Sequence, residues 1–142
     1  MELQLRDLQT EPLDHRVLTQ AAAEADRLAD ARLDRLSLVL VDDARIRELN
    51  QRFRNVDQPT DVIAFEAEDE DGQRAGEVVV SVETARRQAA EAGSDMETEM
   101  AWLVAHGVLH VAGMDDSTDA GLEQMLALQR RALAALGREA RP

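Results

Sequence analysis

The 142-residue chain contains no cysteine and no lysine. Without thiols there is no disulfide framework and no thiolate metal site, which suits a reducing compartment. Without lysine, every basic side chain is an arginine. No apolar run approaches the roughly 18 residues that a membrane helix needs. The N-terminal stretch "MELQLRDLQTEP" lacks the basic-then-apolar pattern of a secretory leader. A soluble, cytoplasmic chain with no membrane partner is expected. The length suits one domain, residues 1–142, with a hydrophobic core that requires no covalent staple.

What is present is mostly negative charge. Acidic residues number 29 against 16 basic ones, a net charge of −13. Phosphate contacts need cations, so composition argues for a solvated surface that repels polyanions, and no DNA partner is expected. The distribution qualifies this reading. Between Arg45 and Arg54 lie four arginines (Arg45, Arg47, Arg52, Arg54) and a single acid, Glu48, which makes a local basic patch. "EAEDEDG", residues 66–72, reads as a solvated acidic turn between strands.

Periodicity outlines the elements. Residues 3–8 alternate apolar and polar and predict an edge strand. Pro12 and Asp14 open a helix in which Leu13, Val17, Ala21, Ala25 and Leu28 recur at helical spacing. "RLSLVLVDD" predicts a strand with leucines on one face and Val39 and Val41 on the other, hence one interior to a sheet. Asp42 or Asp43 caps the next helix, where Ile46, Leu49 and Phe53 share a face. "NVDQPTD" is a loop, because Pro59 bars a continuing helix. "VIAFEAE" and "GEVVVS" suit an antiparallel pair. Ser81 starts a helix that stops at Gly93. Ser94 and Glu97 are spaced as a capping box for the next helix, which runs through Met100, Leu103, Val104 and Val111 to Gly113. A last helix spans about Asp119 to Leu136 and stops at Gly137. The order predicts an α+β fold: a small mixed sheet with helices packed on it, and the candidate metal helix in the C-terminal half.

That helix carries "AHGVLHVAGMDD", residues 105–116. Residues four apart share a helix face, about 5–6 Å between Cβ atoms, so His106 and His110 can reach one ion. Gly113 then breaks the helix, and the chain can return a third ligand. His-x3-His-x2-Gly-x2-Asp is the spacing of the metzincin ligand run with aspartate in third place. Asp115 is adjacent, but Asp116 has the matching offset. His15 has no such partners and is expected on the surface at the start of the first helix.

A zinc protease places its general base, a glutamate, directly after the first histidine. Here that position is Gly107, which has no side chain to do this. The remaining candidates are Asp115 and Glu99, the latter roughly 10 Å up the helix axis and better suited to support a ligand than to act on substrate. Peptide hydrolysis is therefore disfavoured, and a different reaction is expected.

Several segments together resemble the YbeY family of bacterial metal-dependent endoribonucleases and rRNA maturation factors. "HGVLHVAGMDD" is similar to its His-Gly-x-Leu-His-Leu-x-Gly-Tyr-Asp-His signature. "ELNQRFRNVDQPTDVIAFE", "GEVVVSVETARRQAAEAG" and "MLALQRRALAALG" resemble further family segments in the same order, over roughly residues 36–137. The resemblance implies cleavage of single-stranded RNA, one bound zinc, and work on the 3′ end of small-subunit rRNA and on ribosome quality. It implies His106 and His110 as ligands and Arg54 as a functional arginine in the cleft. A guanidinium fork suits a pair of phosphate oxygens.

One departure stands out. The family's third histidine is Asp116 here, and the preceding tyrosine is Met114. Aspartate is an accepted zinc ligand. Its charge makes the centre a weaker Lewis acid and a harder site, more tolerant of manganese or magnesium. The leading expectation is a zinc-dependent endoribonuclease with metal at His106, His110 and Asp116 and catalytic assistance from Arg54. Two rivals remain: a metzincin-like metalloprotease, and a non-catalytic ribosome-assembly factor with a structural metal. The expected partners are single-stranded RNA, rRNA, and the small ribosomal subunit, met partly through its basic proteins.

Overall fold

Alternation in strand β2 (Arg35–Val41) sends Leu36, Leu38 and Leu40 to one face and Val39 and Val41 to the other, and all five are buried. Such a strand must lie inside a sheet with cover on both sides. In the computed structural model, which describes residues 1–68 and 71–139, β2 pairs in parallel with the edge strand β1 (Glu2–Asp7) and with β4 (Arg74–Ser81). Strand β3 (Val62–Glu68) runs antiparallel to β4 and forms the other edge, in the order β1-β2-β4-β3. The α+β expectation holds. The acidic turn is shorter than residues 66–72, because Glu66 and Ala67 stand in register with Gly76 and Ala75. Residues 69 and 70 lie outside the described residues.

Helices α1 (His15–Ala29), α3 (Val82–Ala92), α4 (Met96–Val111) and α5 (Asp119–Ala135) gather on the leucine side of the sheet, with α4 in their midst. Among the described residues, only α2 (Asp43–Arg54) covers the opposite side, over a small cluster of Val39, Val41, Ile46, Ile63 and Val79. Within α2, Ile46 is buried and Leu49 half-buried, but Phe53 departs from the expected shared face and is 58% exposed.

The helix ends follow their side-chain chemistry. Asp14 caps α1, and Ser81 caps α3. Gly93 supplies the left-handed residue (φ 67°) that closes α3. The expected Ser94–Glu97 box on α4 does not form. Asp95 is the cap, and its carboxylate accepts from the Thr98 amide at 2.8 Å and the Thr98 hydroxyl at 3.0 Å. Ser94 instead donates its amide to Ala89, finishing α3. His15 opens α1 and contacts the Asp7 carboxylate at 2.8 Å, exposed as expected.

Of the two candidate caps on α2, Asp42 accepts from the Arg45 amide. Asp43 does something else: its carboxylate accepts from Ser81 Oγ and Thr84 Oγ1, both at 2.6 Å, and from Arg87 at 2.9 Å. It thereby braces the start of α2 against the start of α3. At the far end of α2, Asn50 donates to the Gln58 carbonyl at 2.8 Å, and Arg47 pairs with Asp57 at 2.8 Å. These contacts hold the helix that ends in Arg54.

Helix α4 lies so close to the sheet that glycine is needed at the contact. A Cβ on Gly107 would stand 2.5 Å from Val78 Cγ1 and 3.1 Å from Val62 Cγ2. One on Gly76 would run into Val111. The glutamate expected of a zinc protease at position 107 therefore has no space.

Two stability predictions follow from this packing. Gly107→Ala gains about 1 kcal/mol of helix propensity but overpacks the contact at a cost of about 1–3 kcal/mol. A net loss is expected as a lower urea midpoint, and an unchanged or higher midpoint would show that Val78 yields freely. Burial pushes the Asp43 carboxyl up, but the bonds from Ser81, Thr84 and Arg87 outweigh it and hold the group below the ordinary 3.8. A depressed folded value gives stability that is present above the unfolded pKa and is lost as pH falls through the folded one. Asp43→Asn should therefore be less stable than the native chain at neutral pH, by about 1–3 kcal/mol. The gap should close as pH drops below about 4; a gap independent of pH would refute the charge-based brace.

Candidate metal centre

Most of α4 is buried, but from Trp102 onward one seam is only half-buried: Trp102, His106 and His110, spaced four apart. The two imidazoles stand at the lower end of that seam. Their Nε2 atoms are 3.1 Å apart and their rings meet edge to face at 4.6 Å between centroids. After α4, Gly113 adopts φ 96° and reverses the chain. The Met114 amide bonds back to the Leu109 carbonyl. This return places Asp116 Oδ2 at 3.5 Å from His106 Nε2 and 3.4 Å from His110 Nε2. One donor atom from each residue lies within 4.8 Å of the others.

The hydrogen bonds around the rings assign their protons. His110 Nδ1 lies 3.1 Å from the Met114 carbonyl, which can only accept. His106 Nδ1 lies 3.2 Å from Gln129 Oε1. The Gln129 amide is itself oriented, because its Nε2 donates to the Trp102 carbonyl at 3.2 Å, which leaves the oxygen for the histidine. Both rings therefore carry their proton on Nδ1, and both turn a lone pair outward from Nε2. Two Nε2 nitrogens and a carboxylate oxygen thus face one point. Such a donor set repels itself and is relieved by a cation, and ligating histidines are commonly held in this tautomer by an acceptor on the other nitrogen. The residues present fit a divalent metal.

The surrounding cleft has a volume of about 540 Å³. Among the described residues, Asp61, Glu66, Asp115 and Asp116 bring four carboxylates to its lining, and Arg54 is the one guanidinium. Among the described residues no carboxylate pairs with Arg54. Thr60 also lines the cleft, but Asp61 is occupied with structure: it accepts from the Val62 amide at 2.7 Å and from Gln88 at 3.2 Å. Asp115 is likewise engaged. The Ser117 hydroxyl and amide donate to it at 2.6 and 2.9 Å and hold its carboxyl below the usual range, which makes it a poor base. Glu99 is buried in α4 and does not line the cleft.

The structure thus brings together Arg54, His106, His110 and Asp116, which are far apart in the chain. It divides the basic patch: Arg54 faces the metal cleft, Arg47 is paired with Asp57, and Arg45 and Arg52 line a separate groove on the α2 side of the sheet. Gln129 was not legible as part of the site. Its only sequence signal is a polar side chain among the apolar positions of α5, where it is fully buried.

Proteins of similar sequence and structure are known. A protein from Moorella thermoacetica named Endoribonuclease YbeY is 44% identical over 134 residues, covering 87% of this chain and 84% of its own. One of the same name from Gloeobacter violaceus is 48% identical over 106 residues, covering 69% of this chain; the match spans about half of that relative, 55% of its length. A solution structure of TM1509 from Thermotoga maritima superposes with a TM-score of 0.64 at 25% identity, covering 95% of this chain and 91% of its own. The family described as Endoribonuclease YbeY matches residues 3–137. Match and relatives together show that this chain belongs to the endoribonuclease YbeY family.

Proposed function

We propose that the chain is a metal-dependent endoribonuclease that cuts single-stranded RNA at the cleft holding His106, His110, Asp116 and Arg54. The observation that carries this reading is the donor set itself: two Nε2 nitrogens and one carboxylate aimed at one point, with a guanidinium that has no ion-pair partner among the described residues lining the same cleft. Imidazole and carboxylate together suit zinc, and the carboxylate also admits manganese. When bound, the ion supplies Lewis acidity toward a phosphoryl oxygen.

The protein's own groups do the rest. His106 and His110 hold the ion with orientations set by Gln129 and the Met114 carbonyl. Arg54 offers parallel N–H donors to the non-bridging oxygens of the scissile phosphate and stabilises the negative charge that grows there. No side chain at position 107 can act as a base, and Asp115 is stabilised as an anion by Ser117. A peptide, which needs a protein base to activate water, is therefore the poorer substrate. RNA carries an internal nucleophile in its 2′-hydroxyl, and product ends identify it: a 2′,3′-cyclic phosphate marks attack by that hydroxyl. The biological setting that fits is 3′-end maturation of small-subunit rRNA and ribosome quality control in the cytoplasm, in contact with the small subunit and its proteins.

The test is elemental analysis of untagged protein purified without added metal or chelator, followed by RNA cleavage with the same sample. About one zinc per chain and endonucleolytic products are expected. A loaded protein that cuts no RNA would shift the reading to an assembly factor with a structural metal. Arg54→Ala should lower the cleavage rate about 100-fold or more while leaving metal content unchanged; activity within a few-fold of native would remove Arg54 from the mechanism. Gln129→Leu should weaken metal affinity about 10- to 100-fold in a competitive chelator titration, with Gln129→Glu, which keeps an acceptor, closer to native. Equal affinity for Leu and Gln would contradict the proton assignment.

A further inference from the structure

We infer that Phe53 is a stacking platform for an RNA base beside the phosphate held by Arg54; this rests on the nuclease reading and adds the position of a neighbouring nucleotide. Phe53 is the most exposed of the large apolar side chains, at 58%. It is also fixed in place. Its ring meets Phe65 of β3 edge to face, with centroids 5.0 Å apart and planes at 69°. The Arg52 guanidinium lies over the ring at 5.9 Å from its centroid. A firmly held, solvent-facing aromatic ring with an arginine beside it is the arrangement on which unpaired bases stack, since every base has a π-face.

Its place in the chain gives the platform a purpose. Phe53 directly precedes Arg54, which lines the metal cleft, whereas Phe65 points to the α2 side of the sheet. The pair therefore stands where the β3 edge separates the two faces. On the α2 side runs a groove of about 650 Å³, lined by Arg6, Arg45 and Arg52 over a floor that includes Val39, Val41 and Val79. Two acids, Glu48 and Glu77, line it as well, so the groove carries three positive charges against two negative ones on a chain whose net charge is −13. None of the three arginines has an ion-pair partner among the described residues. Glu77 stands opposite Phe65 in the β3–β4 register, so the groove abuts the aromatic pair. A single strand whose phosphate sits at Arg54 can lay its next base on Phe53 and carry its backbone into this groove.

The experiment combines cleavage kinetics and anisotropy binding on a short fluorescein-labelled single-stranded RNA. It compares the native chain with Phe53→Ala, Phe53→Tyr and Phe53→Trp. Each is also tested on copies of the RNA with one abasic nucleotide moved through the positions flanking the cut. Phe53→Ala is expected to raise KM and Kd about tenfold or more with kcat nearly unchanged, and Tyr or Trp to restore them. One abasic position should cost the native chain the same factor and cost Phe53→Ala nothing further. Equal KM for native and Ala, or abasic losses of the same size in both, overturns the inference and leaves Phe53 as a protein contact or a structural residue. If the native chain neither binds nor cuts RNA, the functional reading falls and takes this inference with it.

Discussion

Helix α4 has to be buried on nearly every side and still keep one seam open, and the rest of the structure answers that constraint. A helix apolar almost all round its circumference must lie among other elements rather than on a surface. Here the sheet takes one side and α1, α3 and α5 take the others. The fit against the sheet is tight enough to require glycine at 107 and at 76. The open seam is what remains, and it ends in His106 and His110. The bonds of their Nδ1 atoms to Gln129 and to the Met114 carbonyl hold the imidazoles toward each other. Their mutual repulsion is a cost that the hydrophobic core covers and that a cation removes.

The same constraint explains why this centre differs from a zinc protease that shares its histidine spacing. The residue after the first histidine lies on the side of α4 that presses on Val62 and Val78. A glutamate there would be overpacked, so the absence of a base is a consequence of how the helix is seated and not a local loss. The chemistry then has to rely on what the substrate brings and on charge stabilisation from elsewhere. Arg54 comes from elsewhere: it sits at the end of α2, whose start is tied to α3 through Asp43 and whose end is tied down by Asn50 and Arg47.

Much of this was legible in the chain. Alternation in β2, the helical period of α1, Pro59 and the left-handed glycines at 93 and 113 depend on local physics, and the elements they predict are present. The histidine pair was legible because helical spacing alone brings the two rings together. What escaped is what depends on tertiary partners. No local pattern shows that β1 and β4 flank β2 in parallel. Ser94 and Asp95 both have capping chemistry, and the choice fell to Asp95 because the Ser94 amide was needed to close α3. Phe53 shares a helical period with Ile46 and Leu49, yet the sheet ends beneath it. Gln129 could not be read as a partner of His106, because the two are 23 residues apart and meet only once α5 packs on α4.

Net charge and local charge act at different ranges, and their separation bears on selectivity. At physiological ionic strength the screening length is about 8 Å, so an approaching polyanion first meets the sum of a chain at −13 and is repelled. Within that length it meets whatever lies locally. With 29 acids against 16 arginines on the chain, that is more often a carboxylate, which disfavours binding. At the end of α2 it is Arg54, then an aromatic ring, then a groove lined by three arginines that have no ion-pair partner among the described residues. Binding that depends on a few close contacts instead of long-range attraction favours strands whose bases and phosphates can both be placed. A duplex keeps its bases stacked inside and gains only the phosphate contacts, which the four carboxylates of the cleft oppose. On the nuclease reading, the acidity of the chain thus works together with the small basic and aromatic strip to select unpaired RNA.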